Sequence, residues 1–174
     1  MKPISERIDR RYSDKGAEPV PWAETDARLT AAQVAWIVTV RPDGRPHATP
    51  MVPVTHEGKF YFHTGSAEVK YANLLANPHV LVLTGDTAWD RGLDVAFEGT
   101  AAPVTDDAVL RRIAELYGSR WDGRWQLDVG DATVHNGAVA ARTPDVQPVV
   151  FEVTPGKAYS YAKGDPFSQT TYRF

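Results

Sequence analysis

The sequence predicts a mainly β protein: an antiparallel barrel of six or seven short strands with peripheral helices. Three observations carry this. Segments rich in β-branched and aromatic residues recur along the chain, tight turn signals join most of them, and two longer stretches with helical spacing lie between them. At 174 residues the chain fits one domain, read as residues 24–174 behind an N-terminal arm of residues 1–23 that mixes charge, Gly and Pro. The 43% apolar and 24% charged content is ordinary for a globular protein.

The elements follow in order. A helix is expected at about 24–32, then VAWIVTV (34–40) reads as a strand, and Pro42-Asp43-Gly44 supplies a turn: fixed φ, side-chain capping, then positive φ. The hairpin enters HATPMVPV (47–54), which carries prolines at 50 and 53 and so gives gaps in any ladder it joins. A second turn around Glu57-Gly58 leads to FYFHT (60–64), which completes a three-strand meander. Ser66 is placed to cap a helix over 67–76 with Ala67, Tyr71, Leu74 and Leu75 on its apolar face, and Asn77-Pro78 ends it. HVLVLT (79–84) and LDVAFEGT (93–100) read as strands, the second alternating cleanly. Thr105 is placed to cap a further helix that stops at Gly118. The last strands are VVFEV (149–153) and KAYSY (157–161), joined by a Thr154-Pro155-Gly156 turn. Residues 119–148 have no clear period and hold Trp121 and Trp125; a segment of that kind suits a lid.

Composition excludes several functions. A net charge of −3 gives no basic excess for a phosphate-backbone binder, so nucleic acid is not expected as a partner. No cysteine occurs, which removes disulfides, thiolate metal sites and Cys nucleophiles. The first residues, MKPISERIDRRYSDKG, lack the apolar core of a signal peptide, and no run reaches the length of a membrane span, so a cytoplasmic protein away from membranes is expected. There is no G-x-G-x-x-G after a strand, no P-loop, no G-x-S-x-G and no H-E-x-x-H. The five histidines form no helical i, i+4 pair, and no metal site is expected.

One constellation carries chemistry. Thr64, Ser66 and Lys70 cluster where the third strand ends and a helix begins, a place where free backbone N–H groups, hydroxyls and a cation can cradle a phosphate. The plain alternative is Ser66 as an ordinary cap and Lys70 as a solvated helix residue. For HATPMVPV the choice is similar. Its backbone groups, such as those of Met51 and Val52, either face the polar edge of a ligand ring or belong to an edge strand guarded by proline.

The order RPDGRPH, HATPMVPV, GKFYFHTG and then S-x-x-x-K-Y-x-N-L-x-x-N-P-H-V resembles the flavin-binding split barrel of the pyridoxamine 5′-phosphate oxidase superfamily. Within it the sequence is most similar to the actinobacterial flavin/deazaflavin oxidoreductase branch. The likeness covers residues 30–104 and resumes in the tail GDPFSQTTYRF (164–174). The resemblance implies an antiparallel split β-barrel of Greek-key type that forms a homodimer, with a cofactor in each of two grooves at the subunit interface. It places the cofactor ring along Ala48, Thr49, Pro50, Met51, Val52 and Pro53, phosphate contacts at His63, Thr64, Val69 and Lys70, and a polar contact near Asp94. Ser66 joins the phosphate group from the spacing argument. Trp121, Trp125 and Tyr172 are candidates to close a substrate pocket, with core or dimer packing as their alternative.

The activity so implied is an oxidoreductase that transfers a hydride between a bound cofactor, deazaflavin coenzyme F-420 ahead of FMN, and an unsaturated small organic substrate. In such enzymes the cofactor carries the chemistry and the protein orients it and excludes water, so no catalytic side chain is nominated. A non-catalytic protein that binds or stores a flavin, a deazaflavin or haem is the alternative. Pyridoxamine 5′-phosphate oxidation comes third, because Ala48 and Val69 stand where that enzyme has basic residues.

Overall fold

The computed structural model describes residues 1–120, 125–130, 133–136 and 148–174. In chain order the elements are β1 (Ser5–Ile8), α1 (Trp22–Ala31), β2 (Ala35–Val40), β3 (Pro46–Met51), β4 (Val54–His56), β5 (Lys59–Gly65), α2 (Val69–Ala76), β6 (His79–Thr84), β7 (Gly92–Pro103), α3 (Asp107–Gly118), β8 (Leu127–Gly130), β9 (Thr133–Asn136), β10 (Pro148–Lys163) and β11 (Ser168–Arg173). Nine strands form one antiparallel sheet in the order β1-β11-β10-β7-β6-β2-β3, with β5 also pairing β10 and β4 pairing β5, while β8 and β9 make a separate hairpin. The predicted count of six or seven strands is therefore too low. Among the described residues no ladder closes this sheet on itself.

The longest strand organises the rest. The first part of β10 pairs β5, and its second part pairs β11, while β7 runs along it from Phe151 to Lys163. Thr154-Pro155-Gly156 is not the predicted turn: the strand continues through it, with a register shift between Pro155 and Lys157. Proline lacks a ladder donor and sits at this irregularity, and the neighbouring strand approaches so closely that a Cβ on Gly99 would lie 2.7 Å from the Thr154 carbonyl oxygen.

Two apolar clusters flank the β5–β10 ladder. Phe60, Phe62, Phe151 and Val153 face one core with Ile37, Val82, Val95 and Phe97. Tyr61 and Val150, on the opposite face, pack against Leu110, Ile113 and Tyr117 of α3. Strands covered on both sides read as continuous apolar runs, and each fully buried Phe contributes about 2–3 kcal/mol.

The meander is corrected at HATPMVPV. Residues 46–51 form the edge strand β3, which among the described residues pairs only β2, and the chain breaks at Val52-Pro53 before β4 takes up the ladder with β5. The N-terminal segment, expected as an arm, is docked: β1 pairs β11, and Trp22 packs edge-on against Tyr172 and Phe174. Helix caps also differ from expectation. Asp106, not Thr105, caps α3 by accepting from the Ala108 and Val109 amides at 2.8 and 3.1 Å. Glu68, not Ser66, is the residue before α2, and the buried side of that helix is Lys70, Asn73 and Leu74, with Leu75 61% exposed. Asn73 donates to Thr39 Oγ1 at 2.9 Å, which ties α2 to β2.

Candidate functional site

Three of these elements meet around a cleft of about 200 Å³. The end of β3 and the break after it supply Pro50, Met51 and Val52, the end of β5 supplies His63 and Gly65, the entry to α2 supplies Glu68 and Lys70, and Trp125 stands at the side. Prolines at 50 and 53 explain why the chain leaves the ladder here, since neither donates an N–H. The break is held from the end of α3 and the residues just after it. Tyr117 Oη donates to the Val52 carbonyl at 2.8 Å, and Arg120 donates to the Pro53 carbonyl at 3.2 Å and to the Ala32 carbonyl at 3.2 Å.

The polar side is built around Glu68. One of its carboxylate oxygens accepts from the Gly65 amide at 2.8 Å and the other from Lys70 Nζ, with the buried Thr64 hydroxyl beside it. Burial raises the Glu68 pKa, but the Lys70 and Gly65 hydrogen bonds outweigh it, so the acid stays below its ordinary range. His63 lies edge-on to Tyr117 (centroids 5.4 Å apart) and tilted to Trp125 (5.5 Å). Burial pulls its pKa down to about 4, with Glu68 opposing and Lys70 assisting, so the imidazole is neutral at pH 7.

The predicted residues divide accordingly. Pro50, Met51, Val52, His63, Lys70 and Trp125 line the cleft, and Thr64 stands against Glu68. Ala48 and Thr49 lie upstream on β3, Pro53 is buried beneath Arg120, and Ser66 and Val69 are exposed outside the cleft. Asp94 is engaged elsewhere: its Oδ1 meets Lys163 Nζ at 2.9 Å and accepts from the Asp86 amide at 3.0 Å. Tyr172 does not close this pocket. It is fully buried, its hydroxyl bonded to the Val20 carbonyl, Thr25 and Ser160. Trp121 lies outside the described residues. Glu68, Tyr117 and Arg120 were missed; a Glu two positions before Lys70 is a visible signal for the first, whereas the α3 contacts are long-range.

A larger concavity of about 580 Å³ on the outer sheet face is lined by Val38, Val40, Val80, Leu81 and residues 154–157, and its surface is mostly apolar although His79, Glu98, Thr100 and Lys157 border it. The convergent polar groups favour the smaller cleft as the site. Among the described residues no group of three or more His, Asp or Glu is placed to hold a metal ion. Among the described residues no helix is long and apolar enough to cross a membrane.

The family model described as pyridoxamine 5′-phosphate oxidase matches residues 22–162, most of the chain and both walls of the cleft. The chain belongs to this family. Among solved structures, a conserved hypothetical protein of Mycobacterium tuberculosis is similar at 23% identity and TM-score 0.67, over 86% of this chain and 89% of that one. A pyridoxamine 5′-phosphate oxidase-related, FMN-binding protein of Nostoc punctiforme is similar at 16% identity and TM-score 0.61, over 88% and 91%. A structure described as an F420 reductase is similar at 24% identity and TM-score 0.54, over 76% of this chain and 94% of that one. No curated protein matches the chain.

Proposed function

We propose that the protein is a reductase that holds the phosphate end of a (deaza)flavin at the Lys70 end of the cleft and the ring along residues 50–52, in a split barrel completed as a homodimer. The observation that carries this is the convergence of Lys70 and the Gly65 amide on one negatively charged group inside a cleft, with the buried Thr64 hydroxyl beside it. Those donors fit an oxyanion in number and kind. When bound, coenzyme F-420 or FMN supplies a hydride to an unsaturated small organic substrate, while Trp125 and the break at 52–53 exclude water from the ring.

The homodimer rests on the outer sheet face. Trp36 stands opposite Pro50 and Leu83, and Val38 opposite Ala48 and Leu81, which makes a continuous apolar surface with Trp36 49% exposed. Pro50 belongs both to this surface and to the cleft. A second copy seated here therefore lies at the cleft mouth.

A carrier that binds the same cofactor without turnover is the second reading. It is favoured by the protonation states: Glu68 is held ionised and His63 neutral, so the described cleft residues include no carboxylic acid or imidazolium to deliver a proton. Titration of the purified protein with coenzyme F-420 and FMN, followed by absorption, tests the site. Lys70→Ala is expected to weaken binding by about 1.5–3 kcal/mol, the range for a hydrogen bond to a charged group, and sedimentation of the same samples is expected to give a dimer. Unchanged affinity returns Lys70 to a structural role. Reoxidation of the reduced cofactor by quinones or enones no faster than in buffer selects the carrier.

A further inference from the structure

The donors that an incoming oxyanion needs are already engaged by Glu68. Its carboxylate draws on the Gly65 amide and Lys70 Nζ, with the Thr64 hydroxyl beside it, and so occupies the position of a bound anion. The two ends of the ion pair differ in freedom. The Lys70 side chain is 9% exposed and the Glu68 side chain 48%. The acid can therefore swing into water while the cation stays in place.

Charge then decides what enters. Lys70 and Glu68 sum to zero, His63 from β5 is neutral, and no other Lys, Arg, Asp or Glu lines the cleft among the described residues. A monoanion that displaces Glu68 exchanges one negative charge for another at Lys70. A dianion leaves one negative charge in excess, with the displaced carboxylate still nearby on the same short segment, and like charges a few ångströms apart in a half-buried site repel.

We propose that Glu68 is a specificity-determining residue, an internal anion that makes the cleft select a singly charged phosphodiester over a phosphomonoester dianion. The inference rests on the cofactor reading above. It makes Glu68 a competitor that any ligand must replace, and it gives the cleft its preference through charge rather than shape.

Three probes that share one ring test it: FMN, its methyl phosphodiester and riboflavin, titrated by flavin fluorescence at pH 8, where a phosphomonoester is fully dianionic. The wild-type protein is expected to bind the methyl ester about tenfold tighter than FMN, and Glu68→Gln, which keeps the shape and removes the charge, to bring the two within about twofold. An ester-to-FMN ratio that is the same in both proteins, or a wild-type preference for FMN, overturns the proposal. Riboflavin bound as tightly as both phosphates sinks the cofactor placement as well. A phosphate contribution abolished by Lys70→Met, together with a ratio unmoved by Glu68→Gln, keeps the placement and sinks only the role of Glu68.

Discussion

The hydroxyl of Tyr172 gathers three protein groups and the carboxylate of Glu68 two, in opposite surroundings. Around Tyr172 the partners are the Val20 carbonyl at 2.6 Å and the Thr25 and Ser160 hydroxyls at 2.8 Å, all buried. Around Glu68 both carboxylate oxygens are engaged, by the Gly65 amide and Lys70 Nζ, but the carboxylate is half-exposed and faces a cleft. Both clusters satisfy their polar groups, as buried polar groups must. Closure is what separates them: in the first, water has no way in and the hydrogen bonds serve to fix the Val20 segment, α1 and the β10–β11 pair, whereas in the second an outside group can take the place of one member.

The largest effect that separates the two regions is expected at Tyr172. Tyr172→Phe strands the Val20 carbonyl and two hydroxyls without partners in a dry core, and three such losses, partly relaxed, cost about 3–4 kcal/mol of stability. Urea unfolding reads the loss, and cofactor affinity is expected to stay within about twofold, because Tyr172 does not reach the cleft. A loss of affinity without a loss of stability would reverse the assignment of closed and open clusters.

The next effect belongs to the open cluster and depends on pH. His63 has a folded pKa of about 4 against an ordinary value of 6.5, so between those values the unfolded chain binds a proton that the folded chain refuses. Stability is then highest above pH 6.5 and falls as the pH drops toward 4, by at most about 3 kcal/mol. His63→Phe keeps a ring between Tyr117 and Trp125 and is expected to flatten that part of the stability–pH profile. A slope that survives the substitution assigns it to other groups.

How much of this was legible in sequence differs between the same two regions. The strands of the main sheet were read closely: β6 falls on residues 79–84 as predicted and β2 begins one residue inside its predicted run, because alternation and β-branched residues are local signals. β1, SERI, carries no such pattern and exists because β11 offers it an edge. Thr154-Pro155-Gly156 misled because Pro-Gly signals a turn, whereas pairing with β7 on both sides of it carries the strand through a bulge. At the site, spacing brought Thr64 and Lys70 into one cluster. It did not show that Glu68 turns back from the helix to sit between them, nor that Tyr117 at the end of α3 and Arg120 just after it reach across, since those contacts span up to 88 residues of sequence.

The smallest effect sharpens the comparison most directly, because it repeats the first substitution in the other region. Tyr117 is as buried as Tyr172, and its hydroxyl donates to the Val52 carbonyl at 2.8 Å. That carbonyl belongs to a half-buried residue at the cleft, so water can take over the hydrogen bond when the hydroxyl is removed. Tyr117→Phe is therefore expected to cost only about 1 kcal/mol of stability, the net worth of one exchangeable hydrogen bond, against the larger loss at Tyr172. Its affinity effect runs the other way: the break at 52–53 loses a tether, and cofactor binding is expected to weaken about threefold while Tyr172→Phe leaves it alone. If the two Tyr→Phe variants cost the same stability, access of water is not what distinguishes the clusters, and the contrast between a closed scaffold and an exchangeable site has to be abandoned.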